Sequence, residues 1–544
     1  MELLITVVTL VVAVYAIVPR ERQLSLTLRL GTFDWFWVLY LLLFAFTIYL
    51  SFYQFFEIQG WAPASRNWPT GITPANCIPL LLLLGLGGLW LRIKFSRLSL
   101  RHIGKFRDLA QDLLWAGSHA ELLALIQDNI KEFSRIYHRG FWHSRLRSRL
   151  LARVSPRFET FILAAETGKD VKLLNPFLTR LARSLIRVLP AHEREQQAAA
   201  ETARGILLAQ PFVASLARSR PYLGLTILDL WLSKFEQAEF LDLYMNELLS
   251  YRTSAFYAEV ANNQNMSFDS RYVLAPGNHL LRFFLADARV AYSMNIYKPV
   301  GDFALRELDQ LARNPENDSY NRAPDDDFDS RGRWQSPVFA AIRFFDIMVM
   351  EALFQGIEWH MWLYYLPHMV ERMVRNYKPS DPLVSEEKDW PVKYNFLIYE
   401  AFSVLRGWIK AVEHVPASQR NVVLDNTSAN LQNDNIPKSS ILALSQCVRA
   451  VLLSSDLKEK FQDSLANMAF ELFFELRHSD KQPAYATVLS SALQSGGGTL
   501  ASNNQRYRQV LGRSFERNKH EYLITHRQEE DVLELERVVG LSRP

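Results

Sequence analysis

Three apolar segments within the first hundred residues constrain this chain more than anything that follows. Leu3 to Val18 is sixteen residues without a charge, LLITVVTLVVAVYAIV. As a helix rising 1.5 Å per residue it reaches about 24 Å, against a bilayer core of roughly 30 Å. Phe33 to Phe56 is longer, has Asp34 as its one charge, and carries Trp35, Trp37, Tyr40, Phe44, Tyr49 and Tyr53. Aromatic rings near the ends of such a segment suit the two membrane interfaces. Ile78 to Leu91, IPLLLLLGLGGLWL, stops against Arg92 and Lys94 and contains Gly85, Gly87 and Gly88. Glycine is tolerated in membrane helices, where it lets backbones pack closely. Residues 1–95 are therefore expected to form a three-helix transmembrane anchor. No Lys or Arg precedes Leu3, so the first segment lacks the basic lead-in of a cleaved signal peptide and reads as a retained anchor.

The charges between the segments give a topology. Arg20, Arg22 and Arg29 follow the first, only Arg66 lies between the second and third, and Arg92, Lys94, Arg97, Arg101, Lys105 and Arg107 follow the third. The excess of basic residues on cytoplasmic loops places the N-terminus outside and residues 96–544 in the cytoplasm, with the chain a multi-pass inner-membrane protein. Short, glycine-bearing spans favour association in the bilayer, so an oligomer is expected. The averages hide this division: 49% hydrophobic, 22% charged and a mean hydropathy of −0.06 describe an ordinary soluble protein. They do exclude disorder and collagen-like repeats. Two distant cysteines, Cys77 and Cys447, exclude a disulfide framework and a cysteine-based metal site.

Beyond Ser96 the apolar period is helical and strand-like alternation is scarce, so the fold class is all-α, with a large helical domain over 96–495. Ser118 with Glu121 three residues on forms the pattern of a capping box ahead of Leu122, Leu125, Ile126 and Ile130. Leu114-Trp115 before Ala120-Glu121-Leu122 is echoed by Leu230-Trp231 before Ala238-Glu239-Phe240, two hairpins in the style of stacked helical repeats. Further helical runs are Ser184–Leu189, Leu225–Leu232, Val338–Phe354, Trp359–Asn376 and Lys458–Arg477. Gly496, Gly497 and Gly498 read as a linker to a charged helical tail over 496–544. In that tail Arg506, Arg508, Arg513, Arg517, Lys519 and Arg527 precede Glu529, Glu530, Asp531, Glu534 and Glu536, opposite blocks suited to a hairpin or a subunit contact.

The densest charge feature is Phe133 to Arg157, with Arg135, Arg139, Arg145, Arg147, Arg149, Arg153 and Arg157 and no acid. Leu146, Leu150, Leu151 and Val154 form an apolar stripe among them. One reading is docking on anionic lipid, where each basic residue contributes about 1 kcal/mol near the surface. Another is a nucleic-acid backbone or an acidic protein, with Tyr137, Phe141 and Trp142 available to stack on bases, and the third is a plainly solvated helix face.

Catalytic motifs are missing. Gly168-Lys169-Asp170 lacks the rest of a phosphate-binding loop, and no GxSxG or HExxH occurs. The acidic loop with Asp318, Asp325, Asp326, Asp327 and Asp329 fails the calcium-loop register, since Ser330 or Val338 falls where glycine or glutamate is required. Glu358, His360 and His368 fit an aromatic core helix interrupted by Pro367. Arg282, Asp287 and Arg289 read as an ion-pair set. No cofactor, metal or catalytic residue is expected, and the chain reads as non-enzymatic.

In layout, the segments Leu3–Val18, Phe33–Phe56 and Ile78–Leu91 followed by the basic Arg135–Arg157 stretch resemble the membrane-anchored effectors of bacterial anti-phage systems, such as the transmembrane effectors of retrons. That resemblance implies an antiviral defence toxin. Its helical body would hold a ribonucleoprotein, with the arginines on nucleic acid, and its membrane helices would damage the bilayer on release. The alternatives are a constitutive scaffold for envelope or secretion assembly, and a membrane enzyme with a site at Glu358, His360 and the Asp325–Asp329 loop.

Overall fold

The computed structural model describes residues 35–63, 73–95, 100–138, 142–154, 176–189, 193–229, 234–268, 270–325, 330–357, 361–379, 390–411, 435–480, 483–498, 505–524 and 529–539, with a few isolated residues besides. Helices account for nearly all of it. Among the described residues there is no β-strand, only the single antiparallel bridge Met266–Tyr272. The chain forms two compact units, Met1–Phe240 and Leu241–Pro544. The boundary expected at 95/96 thus lies inside the first unit and that at 495/496 inside the second.

In the first unit the expected Phe33–Phe56 span is not one helix. It divides at Phe52 (φ −105°, ψ 20°) into α1 (Trp35–Ser51) and α2 (Tyr53–Ile58). The third apolar segment is longer than expected, α3 (Pro74–Phe95), and packs against α1. Most of Leu3–Val18 lies outside the described residues. Among the described residues no helix is long and apolar enough to cross a membrane, so the expected transmembrane anchor is not seen as such. The physical reason for α1 is length: the break at Phe52 leaves 17 residues, about 25 Å of helix.

The rest of this unit is a small helical cluster. Helices α4 (Ile103–Trp115) and α5 (His119–Tyr137) form the first expected hairpin, and both pack on α8 (Glu193–Thr202). Between α5 and α8 come α6 (Trp142–Val154) and α7 (Pro176–Val188), which pack together. The start of α5 is as expected, but Ser118 makes no side-chain cap. After α8 the chain makes one wide π turn, Ala203–Leu207, before α9 (Gln210–Ser219) and α10 (Pro221–Asp229). The second expected hairpin includes residues 230–233, which lie outside the described set.

The boundary between the units falls within α11 (Lys234–Ser250). The second unit then runs α12 (Ala255–Asn262), α13 (His279–Leu285), α14 (Ala288–Met294), α15 (Tyr297–Arg313), α16 (Pro337–Phe354), α17 (Tyr365–Asn376), α18 (Lys393–Ala411), α19 (Ile436–Leu452), α20 (Glu459–Arg477), α21 (Pro483–Ser495), α22 (Gln505–Ile524) and α23 (Glu529–Val539). Helix α16 is its axis. Every residue from Pro337 to Phe354 is buried except Arg343, because α12, α14, α15 and α18 surround it. A helix apolar on all sides has no solvent face to present. Its start is fixed by Ser336, whose hydroxyl accepts from Phe339 N, and that of α19 by Asn435, whose side chain accepts from Lys438 N.

Two sequence expectations change here. Gly496 and Gly497 do not begin a free linker. Both adopt positive φ, and their amides bond to Leu493 O and Ala492 O, closing α21 with a left-handed cap. Their backbone then lies against α19, where a Cβ on Gly497 would sit 2.5 Å from Leu442 O. Arg282, Asp287 and Arg289 do not form an ion-pair set. Asp287 caps α14 by accepting from Arg289 N, while Arg282 donates to Leu274 O. The tail does fold as a hairpin: Lys519 on α22 pairs with Glu536 on α23 at 2.9 Å. Arg517 instead turns to Asp463 and Glu459 on α20.

Close helix packing depends on Gly301, where a Cβ would lie 2.2–2.5 Å from the Tyr365 ring. Gly301→Ala is expected to destabilise the second unit by about 1–3 kcal/mol, as overpacked cores do, in urea unfolding followed by circular dichroism.

Candidate functional site

Two surfaces of the first unit depart from what a solvated helical protein presents. On α1, Val38, Leu39, Leu41, Leu42, Phe44, Phe46 and Ile48 all face outward. At 100° per residue these positions cover more than half of the helix circumference. Leu39 is 65% exposed, and Leu83 on the neighbouring α3 is 70% exposed. Thr47 and Leu50 occupy the buried side of α1. The pair is thus apolar on the outside as well as the inside, and contiguous exposed apolar surface of this extent marks an interaction site. Of the three glycines, Gly85 is buried, whereas a Cβ on Gly87 or Gly88 would meet nothing within 4 Å. Among the described residues nothing packs against the last two.

The second surface is the α6–α7 pair. Helix α6 carries Arg145, Arg147, Arg149 and Arg153. Helix α7 carries Arg180, Arg183 and Arg187, and neither helix holds an Asp or Glu. Arg149, Arg180, Arg183 and Arg187 are exposed and Arg147 is half-buried. Among the described residues none of these five has a carboxylate partner. Arg135 sits at the end of α5, exposed, with Glu132 at 3.8 Å. Arg139 and Arg157 lie outside the described residues, as do the side chains of Arg145 and Arg153. Apolar side chains are interleaved with the charges: Leu146, Leu151, Leu181 and Leu185 are exposed and Val188 is 82% exposed. Small Ala182 is buried.

The three arginines of α7 were missed by sequence reasoning, which took Ser184–Leu189 only as a helical run. The signal was present in TRLARSLIR, where arginines at spacings of three and four alternate with leucines. Of the three rings expected to stack on bases, only Tyr137 is described. The Tyr137 hydroxyl donates to buried Glu236 at 2.7 Å, Phe141 lies outside the described residues, and so does the ring of Trp142. Glu236 also holds Arg204, from the π turn, at 2.6 Å. Hydrogen bonding and the charge of Glu236 strengthen the guanidinium's hold on its proton.

The second unit concentrates its polar chemistry in the core. The Asp346 carboxylate accepts from the Tyr272 hydroxyl at 2.5 Å and from Trp408 Nε1 at 2.9 Å, and Arg343 lies 3.2 Å away. Arg343 also donates to Gln264 Oε1 at 2.7 Å and faces Glu400 at 3.8 Å. Burial pushes the Asp346 carboxyl upward, with Arg343 pulling the other way, and burial likewise raises Glu400. Five residues along α16, Glu351 holds Arg271 at 2.8 Å. Asp318, from the acidic loop, is buried too and accepts from the Tyr394 hydroxyl at 2.8 Å. These carboxylates take their donors from their own fold.

Of the residues proposed for an enzyme site, Asp325 alone is among the described ones. Glu358 and His360 lie outside the described residues, as do Asp326, Asp327 and Asp329. Asp325 accepts from Phe328 N and pairs with Lys393 at 3.3 Å; the backbone bond holds its carboxyl below the usual range. Among the described residues no group of three or more His, Cys, Asp or Glu side chains could hold a metal ion. No protein family, no curated protein and no solved structure matches this chain.

If the Asp346 cluster is structural, removing its charge leaves Arg343 partly uncompensated in the core. Asp346→Asn is expected to cost about 3 kcal/mol in urea unfolding, the scale of a broken buried ion pair. An unchanged midpoint would remove the cluster from its structural role.

Proposed function

We propose that the chain is a membrane-seated, non-enzymatic helical effector. In this reading the α1–α3 pair lies in lipid, the α6–α7 pair rests on anionic headgroups, and the second unit receives a partner. The observation that carries it is the coincidence, on α6 and α7, of exposed leucines with arginines that have no carboxylate partner among the described residues. A basic amphipathic pair of this kind fits the boundary between headgroup and acyl chain, with guanidiniums on phosphates and leucines below them. Interleaved leucines add nothing on a nucleic-acid backbone, which favours lipid over nucleic acid. The outward apolar girdle of α1 and α3 supports the same placement. Helix α1, at about 25 Å, is a few Å short of a bilayer core of about 30 Å, so its immersion thins the membrane locally.

Two measurements test this. Flotation with phosphatidylglycerol vesicles should show tight binding of the full chain. Replacing Arg180, Arg183 and Arg187 together by Gln should weaken it by about 100-fold, from roughly 1 kcal/mol per basic residue. Equal binding by the variant, or binding to nucleic acid that the same replacements abolish, would sink the lipid assignment. Dye-loaded vesicles separate an effector from a scaffold: the full chain is expected to release the dye, while a chain lacking residues 1–95 should not. Sealed vesicles carrying bound protein would leave the scaffold reading in its place.

A further inference from the structure

We infer that a groove in the second unit, between α17 and α19, binds a small sugar phosphate of the nucleoside diphosphate class. This is independent of the membrane reading. The two helices pack side by side, and their outer faces leave a recess of about 480 Å³. That volume lies within the range of small-molecule sites, roughly 300–1,000 Å³. His368, Glu371 and Arg375 reach it from successive turns of α17, and Gln446 and Arg449 from α19. Pro367, Val374 and Leu453 supply an apolar floor.

The chemistry of the lining selects the ligand. Two guanidiniums face one carboxylate, so the groove keeps a positive surplus that suits phosphate. Glu371 stands 4.0 Å from both Arg375 and His368, so it is loosely engaged and free to accept from sugar hydroxyls. Arg449 is the pre-positioned member. It is half-buried and has no carboxylate partner among the described residues. Its stem is held by the glycine cap of α21: a Cβ on Gly496 would lie 2.7 Å from Arg449 Cδ and 3.3 Å from the Tyr507 ring. The cap itself is fixed to α19 by Gln446, which donates to Gly497 O at 3.1 Å. A guanidinium whose stem is already ordered loses less freedom on meeting a phosphate. The apolar floor and flat guanidinium faces give a base or other planar body a place to lie.

The test is isothermal titration of the full chain in detergent micelles with ADP, ribose 5-phosphate, inorganic phosphate and adenosine. ADP should bind saturably and most tightly, and adenosine least. Arg449→Met, which keeps the apolar stem, should weaken ADP at least tenfold. Glu371→Gln should weaken ADP and ribose 5-phosphate but leave inorganic phosphate unchanged. Arg375→Gln, at an exposed position, serves as a second variant that does not threaten folding and should also weaken ADP. The inference falls if ADP gives no saturable binding, if adenosine binds as tightly as ADP, or if both arginine variants bind ADP like the parent chain.

Discussion

A carboxylate inside an apolar core has to be met by donors, and in the second unit that demand organises the surroundings of Asp346. Its three partners come from three places: Tyr272 from the loop before α13, Trp408 from α18, and Arg343 from the preceding turn of α16. Taking a charge out of water costs several kcal/mol, which only well-directed partners offset. Shifting α18 along its axis, or lifting the 264–273 loop, would leave that charge unsatisfied. The same loop is pinned a second time by Arg271 on Glu351. The polar core therefore contributes register to a helical packing that apolar contacts alone would leave slippery.

The first unit follows the opposite rule. Its most basic helices hold arginines with no carboxylate partner among the described residues, and its most apolar helices hold exposed apolar side chains. The exposed apolar side chains are costly in water, and the anionic lipid interface proposed above would cover them while giving the arginines counter-charges. Salt would weaken the contribution of the arginines and leave that of the leucines, because screening acts on charges and not on apolar burial. The two units thus represent two solutions to the same problem of where a helix sends its side chains.

The sequence was most legible where period and length carried the information. Val338–Phe354 and Lys458–Arg477 were read within a residue or two of α16 and α20, since 3.6-residue spacing over several turns leaves little choice. Three kinds of information were not there to read. Contacts such as Tyr272 to Asp346 join residues 74 apart, and nothing local marks them. Glycine triplets suit a linker and a left-handed cap equally, and only the packing of Gly497 on Leu442 decides between them. An apolar run shows its length but not its breaks, so the division at Phe52 was hidden within Phe33–Phe56. Of the candidate site, the α6 half was legible from its arginine density. The α7 half, with its charges spread at helical spacing, needed the two helices to be seen together.

Helix α16 has one further consequence. With Arg343 as the lone side chain near water, its backbone has no face from which to fray, and its amides are reachable only when its neighbours part. The slowest opening of the second unit is therefore written along this helix. The outer helices, α17 among them, keep a solvent-facing side and so lack that protection.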